Sequence, residues 1–192
     1  MTNPAKILAA EEVRMLLAHV DNGPLAKRNT VIVLLSFKAG LRACEIAGLD
    51  WSMLTSGSGA MADSIAISGS IAKNGRARRM PLHPQLRAAL AILNTKTGKP
   101  RKGPVIRSQR GGHLTPGSVV NWFTALYAEL GLQGCSSHSG RRTFITNSAR
   151  MVAKVGGCLR DVQELAGHSS LLTTQLYIVG DRDAQRKLVR ML

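Results

Sequence analysis

In "ILAAEEVRMLLAHV" the apolar residues Ile7, Leu8, Val13, Leu16, Leu17 and Val20 recur at helical spacing, with Glu11 and Glu12 near the start, where carboxylates complement a helix dipole. A second helix is predicted from Ala26 to Lys38, ending at Gly40, and "LRACEIAGL" reads as a third, short one. The period then changes from helical to alternating. "SIAISGSIAKNGRARRMPL" alternates through Ile65 and Ile67, Asn74-Gly75 reads as a two-residue hairpin turn, and Pro81 and Pro84 close a small antiparallel sheet, expected to have three strands. "PQLRAALAIL" returns to helix, and residues 98 to 112 form a basic connector around Val105 and Ile106. Thr115 or Ser118 can cap a helix running through Val119, Trp122, Phe123, Leu126 and Leu130 to Gly131. Further helices are expected at about 139 to 151, 158 to 166, 170 to 177 and 182 to 192. The fold class that follows is α+β, mostly α-helical, in one domain.

The chain of 192 residues can bury one real core, and 44% apolar content is ordinary for a globular protein. Its longest apolar run, "VIVLLSF", is far short of the roughly 20 residues that span a bilayer, and no charged and apolar leader follows Met1, so a cytoplasmic protein is expected. Cys44, Cys135 and Cys158 are odd in number and widely spaced, which suggests reduced thiols rather than a disulfide framework or a metal site. No cofactor is suggested.

Charge changes the picture most. The formal net charge is +15, and no acidic residue lies between Asp63 and Glu129. That interval holds Lys73, Arg76, Arg78, Arg79, Arg87, Lys96, Lys99, Arg101, Lys102, Arg107 and Arg110. Such a one-sign surface repels itself unless a polyanion lies against it, and nucleic acid is the leading partner. A membrane surface fits less well, because glycines and prolines break the stretch and deny it the form of a basic amphipathic helix. With seven aromatic residues and no stacking motif, RNA binding has little support.

Several residues are of the types that phosphoryl transfer needs. "HSGRR" sets His138 and Arg141 three apart, on one face if the segment is helical. Arg42 lies on a mostly apolar helix with Glu45 one turn later, Lys73 precedes the Asn74-Gly75 turn, and His168 follows a glycine suited to end a helix. Ser169 or Ser170 can then cap the next helix, which carries Tyr177.

Each signal alone is weak, but four stretches together resemble a family. "GLRACEIAGLDW", "IAKNGRARRMPLHP", "HSGRRTFITNSAR" and "LAGHSSLLTTQLYI" occur in the order and approximate spacing of the catalytic domain of tyrosine recombinases, the phage integrase family. The resemblance runs from about Leu8 to about Tyr177. It implies a tyrosine-recombinase-like catalytic fold and a site-specific recombinase that cleaves and rejoins duplex DNA through a covalent 3′-phosphotyrosine, without metal or ATP. It further implies Arg42, Lys73, His138, Arg141, His168 and Tyr177 as catalytic residues, with Glu45 and Arg142 in support. Arg76, Arg78, Arg79, Lys99, Arg101, Lys102, Arg107 and Arg110 are the expected DNA contacts. Since the pattern begins within ten residues of Met1, the expectation is a single catalytic domain, 1 to 192, lacking the preceding DNA-binding domain of most members. Residues 178 to 192 form a tail that, by resemblance, docks on a neighbouring protomer within a tetramer on DNA, and accessory DNA-bending proteins are compatible with such an assembly. A nicking and resealing topoisomerase or resolvase, and a catalytically silent DNA-binding regulator, are the alternatives.

The chemistry is consistent with these roles. A free tyrosine has a pKa of about 10, so only about one in a thousand is phenolate at pH 7, and nearby cations and a basic histidine are what would activate it. Two planar, permanently charged guanidiniums suit the charge that gathers on a phosphodiester under attack.

Overall fold

A computed structural model describes residues 4–73, 75–178, 186, 189 and 190. Helix α2 (Ala26–Lys38) is apolar around most of its circumference, with every residue from Val31 to Phe37 buried. A helix of that kind is stable only when covered on several sides. Helices α1 (Ala10–Val20), α4 (Pro84–Lys96) and α6 (Ser139–Met151) provide the cover. α1 turns Leu16 and Val20 inward, and at its start the Glu12 carboxylate accepts the backbone N–H of Ala9 at 2.9 Å. The segment before it is tied down through Leu8, whose N–H donates to the Thr143 hydroxyl of α6 at 3.0 Å.

Helix α3 (Ala43–Gly48) packs against α5 (Pro116–Glu129), and Thr115 caps α5 by accepting the N–H of Ser118 at 3.0 Å. Between α3 and the sheet, a 3₁₀ turn at Trp51–Met53 buries Trp51 in the core. Asp50 accepts the N–H of Ser52 with one oxygen and that of Gly103 with the other, which pins the basic connector to the helical body. A second, small cluster of Ile145, Val162 and Ala166 joins α6 to α7 (Leu159–Ala166) and is lined by Phe144, Val152, Leu159 and Tyr177. Helix α8 (Leu171–Gln175) packs on α7.

Two expectations are corrected here. The described sheet has two strands, β1 (Ser64–Ile67) and β2 (Arg78–Pro81), antiparallel with Ile65 opposite Met80 and Ile67 opposite Arg78. Just before β1 there is an isolated bridge between Thr55 and Met61 rather than a third strand, the serine- and glycine-rich residues between them closing their own backbone turn. Nor do the strands meet at a two-residue hairpin. Pairing stops at Ile67 and Arg78, and the connection closes on itself: Ser70 bonds the Ser68 hydroxyl, and the N–H groups of Ile71 and Ala72 both reach the Ser68 carbonyl. Asn74, and most of the helix expected at 182 to 192, lie outside the described residues.

Gly40 ends α2 at φ +60, and a β-carbon there would overlap the ring of Phe144, whereas Gly23, at φ +90, faces open space. Gly40→Ala is therefore expected to lower the unfolding free energy by about 2–4 kcal/mol in urea titration, combining strain at positive φ with overpacking. Gly23→Ala carries the strain alone and should lower it by about 1 kcal/mol.

Candidate active site

Gly40 turns the chain out of α2, and Arg42 stands just before α3 in an extended conformation. Its backbone N–H donates to Glu45 Oε2 at 2.9 Å, so the acid one turn later caps the helix that carries it. The Glu45 side chain is completely buried and faces two guanidiniums. Arg78, from the first position of β2, bonds it side-on, Nη1 to Oε1 at 2.6 Å and Nη2 to Oε2 at 3.0 Å. Arg42 makes a looser contact, Nη1 to Oε1 at 3.4 Å. Burial pushes the Glu45 carboxyl up, but the hydrogen bonds and charges of Arg78 and Arg42 outweigh it and hold the group below the usual carboxylate range.

Arg141 projects from the first turn of α6 and is only 5% exposed. It donates to two backbone carbonyls, Gly40 at 2.7 Å and Ala166 at 2.6 Å. Burial, then the charge of Arg42, lower its pKa to about 10, which leaves it charged at neutral pH. The Ala166 carbonyl belongs to the last residue of α7. There Gly167, at φ +62, ends the helix in the left-handed conformation, the N–H of His168 returning to the Gln163 carbonyl at 3.1 Å and that of Gly167 to Glu164 at 3.0 Å. His168 is thereby aimed toward the arginines.

Nδ1 of His168 lies 2.9 Å from the buried hydroxyl of Thr174, leaving Nε2 as the ring nitrogen open to a reactant. Burial first, then the charges of Arg141, Arg42 and Arg78, lower the His168 pKa to about 4, so the ring is neutral at pH 7 and able to accept a proton. The Tyr177 ring stacks on His168 at 5.7 Å between centroids, and the Arg142 guanidinium lies 5.9 Å from the centre of the tyrosine ring. Ser170 caps α8, but the helix ends at Gln175, so Tyr177 sits in the turn that follows rather than on the helix expected at 170 to 177.

Thus Arg42, Glu45, Arg141, Arg142, His168 and Tyr177 come together from four stretches of chain. Two expected members make no described bond to this group. His138 is exposed at the start of α6, bonded to Ser137 at 3.4 Å, and Lys73 is exposed in the connection between the strands, with no ion-pair partner among the described residues. Of the expected DNA contacts, Arg76, Arg79, Lys99, Lys102, Arg107 and Arg110 are exposed, and Arg101, also exposed, bonds the Ser58 carbonyl. Arg78 differs: its guanidinium is turned inward onto Glu45 and is not a surface group. The alternation of β2 carried the signal, since Arg78 shares a face with the core residue Met80 while Arg79 and Pro81 point out.

The family model for the phage integrase family matches residues 6–182. The chain belongs to the phage integrase family. Among curated relatives, it is 33% identical over 188 residues to the tyrosine recombinase XerC of Rhodospirillum centenum, covering 94% of this chain and 51% of that protein. It is 30% identical over 198 residues to the tyrosine recombinase XerD of Mycobacterium leprae, covering 95% and 59%. The chain thus spans about half the length of the curated relatives it matches. Solved structures with the same fold include the Tn1549 transposon integrase in complex with transposon right end DNA, at TM-score 0.77 and 17% identity over 100% of this chain and 67% of that one. The XerA recombinase superposes at TM-score 0.73 with 21% identity, over 97% and 62%. In this phage integrase chain the family's mostly helical catalytic fold carries the cluster of charges on the ends of its helices.

A low pKa on His168 has a measurable sign. The unfolded chain takes up a proton near the ordinary value of 6.5 and the folded chain only near 4, so acidification through that window favours unfolding. In NMR titration of the DNA-free protein the His168 ring resonances should stay at their neutral positions from pH 7.5 to about 5.5. A midpoint at or above the ordinary value contradicts the described environment.

Proposed function

We propose that this chain is the catalytic part of a site-specific recombinase that cuts and rejoins duplex DNA through a 3′-phosphotyrosine. The observation that carries this reading is the meeting, around one charged cluster, of Arg42 from just before α3, Arg141 from α6, neutral His168 from the turn after α7 and Tyr177 from the turn after α8.

In the proposed reaction the scissile phosphate lies against Arg42 and the N–H groups that Arg141 does not spend on backbone. These donors face the charge that builds on the non-bridging oxygens. The Tyr177 oxygen attacks phosphorus, His168 Nε2 takes its proton, and the bond to the 5′ oxygen breaks. Lys73 supplies the proton to the departing 5′-hydroxyl, and His138 completes the clamp from the start of α6. The phosphotyrosine keeps the energy of the broken bond, so attack by a 5′-hydroxyl reverses the step without ATP. The exposed arginines and lysines at 76, 79, 99, 102, 107 and 110 lie along the DNA backbone. Strand exchange between two sites requires further copies of the chain, assembled as a tetramer on DNA.

Two measurements test this. On a nicked suicide duplex carrying the recombination site, the wild type should form a covalent adduct and Tyr177→Phe none, and an adduct that survives the substitution overturns the assignment of the nucleophile. Binding to duplex DNA should weaken steeply with salt, with a slope of log affinity against log salt on the order of −5 if all six basic residues meet phosphates. A slope near −1 contradicts the proposed DNA face.

A further inference from the structure

The buried carboxylate of Glu45 raises a problem for the residue beside it. A phosphate clamp works through uncompensated positive charge, yet Arg42 has an ionised acid one turn away, its backbone already bonded to it. A lone Arg42–Glu45 pair would be neutral. With Arg78 included, two guanidiniums share one carboxylate and the group keeps a net positive charge. The distances show how the sharing is divided: Arg78 holds both oxygens at 2.6 and 3.0 Å, and the Arg42 side chain is left at 3.4 Å.

We propose that Arg78 is a positioning residue: by occupying both oxygens of Glu45 it keeps the Arg42 guanidinium available for phosphate. The inference rests on reading Arg42 as a phosphate clamp.

Arg78 is itself unsuited to grip DNA. All three of its nitrogens are engaged, the third through Nε to the Leu165 carbonyl at 3.3 Å, and its side chain is 10% exposed. That third bond and the close approach of Gly167 give it a second role. A β-carbon on Gly167 would lie 3.0 Å from Arg78 Cδ, so the chain turn that aims His168 is packed directly on the arginine stem. One side chain of β2 thereby sets the charge on α3 and supports the end of α7.

The experiment separates charge sharing from packing. Wild type, Arg78→Gln, Glu45→Gln and the double variant are compared by rate of adduct formation on the nicked suicide duplex, with urea unfolding of each as a check on folding. In Arg78→Gln the carboxylate turns wholly to Arg42, and the rate should fall on the order of a hundredfold, as when one transition-state donor is removed. Removing the carboxylate as well should restore at least about tenfold over Arg78→Gln, a coupling of opposite sign to simple additive damage. A double variant no faster than Arg78→Gln overturns the proposal.

The same four proteins are titrated with inorganic phosphate while the Arg42 side-chain NMR signals are followed. The expected order of response is wild type and double variant above Arg78→Gln, and an unchanged response in Arg78→Gln also overturns the proposal. This readout needs no catalysis. A wild type that binds phosphate in this order but forms no adduct defeats the recombinase reading and leaves the charge sharing supported. Arg78→Lys, which keeps the charge but not the side-on pair, should fall between wild type and Arg78→Gln in both assays, and a response as weak as that of Arg78→Gln counts against charge as the operative property.

Discussion

The last carbonyls of a helix have no partner within it and carry the negative end of its dipole, so a helix that ends inside a protein needs a cation or a donor there. Arg141 meets this need at Ala166, the end of α7, and with a second N–H it holds the Gly40 carbonyl where the chain leaves α2. Everything else in the cluster follows from those two ends. Gly40 leads directly to Arg42 and α3, and Ala166 leads through Gly167 to His168. A buried guanidinium is costly unless its N–H groups are bonded and its charge is answered. Backbone carbonyls answer the first requirement here, and the carboxylate of Glu45, shared with Arg42 and Arg78, contributes to the second.

The electrostatics of the cluster then point one way. Three guanidiniums against one buried carboxylate leave an excess of positive charge, and burial of the ring, reinforced by this excess, keeps His168 neutral. The residues suited to hold an anion thus also favour the proton-accepting form of the histidine beside them. Thr174 completes the arrangement by engaging Nδ1, so the orientation of the ring is set from α8 while its charge is set by burial and then by the arginines.

Much of this was legible in the sequence. The family resemblance carried by four motifs named Arg42, Arg141, His168 and Tyr177 as one group, and the extent of α2 and the starts of α4 and α5 follow from apolar periodicity, proline and capping threonine. What the sequence did not disclose were features that depend on one side chain in its surroundings. An arginine within "RARRM" looks like its neighbours until the strand face is counted. In place of a third strand the backbone closes a tight turn, Ser56 N–H to the Ala60 carbonyl and Gly59 N–H to the Ser56 carbonyl, which a period-two pattern does not register. Tyr177 falls beyond its helix for a similarly local reason, since α8 is too short to reach it.

The small cluster of Ile145, Val162 and Ala166 is separate from the main core, and Leu172, Leu176 and Ile178, on and after α8, are exposed. Segments with few buried apolar contacts open at free energies well below that of global unfolding. Tyr177 rests on this cluster, while Arg141 is bonded to both parts, to Gly40 beyond the deeply buried α2 and to Ala166 within the cluster itself. On the proposed reading the attacking group thus sits on the region whose opening costs less, tied through one guanidinium to the region that stays closed.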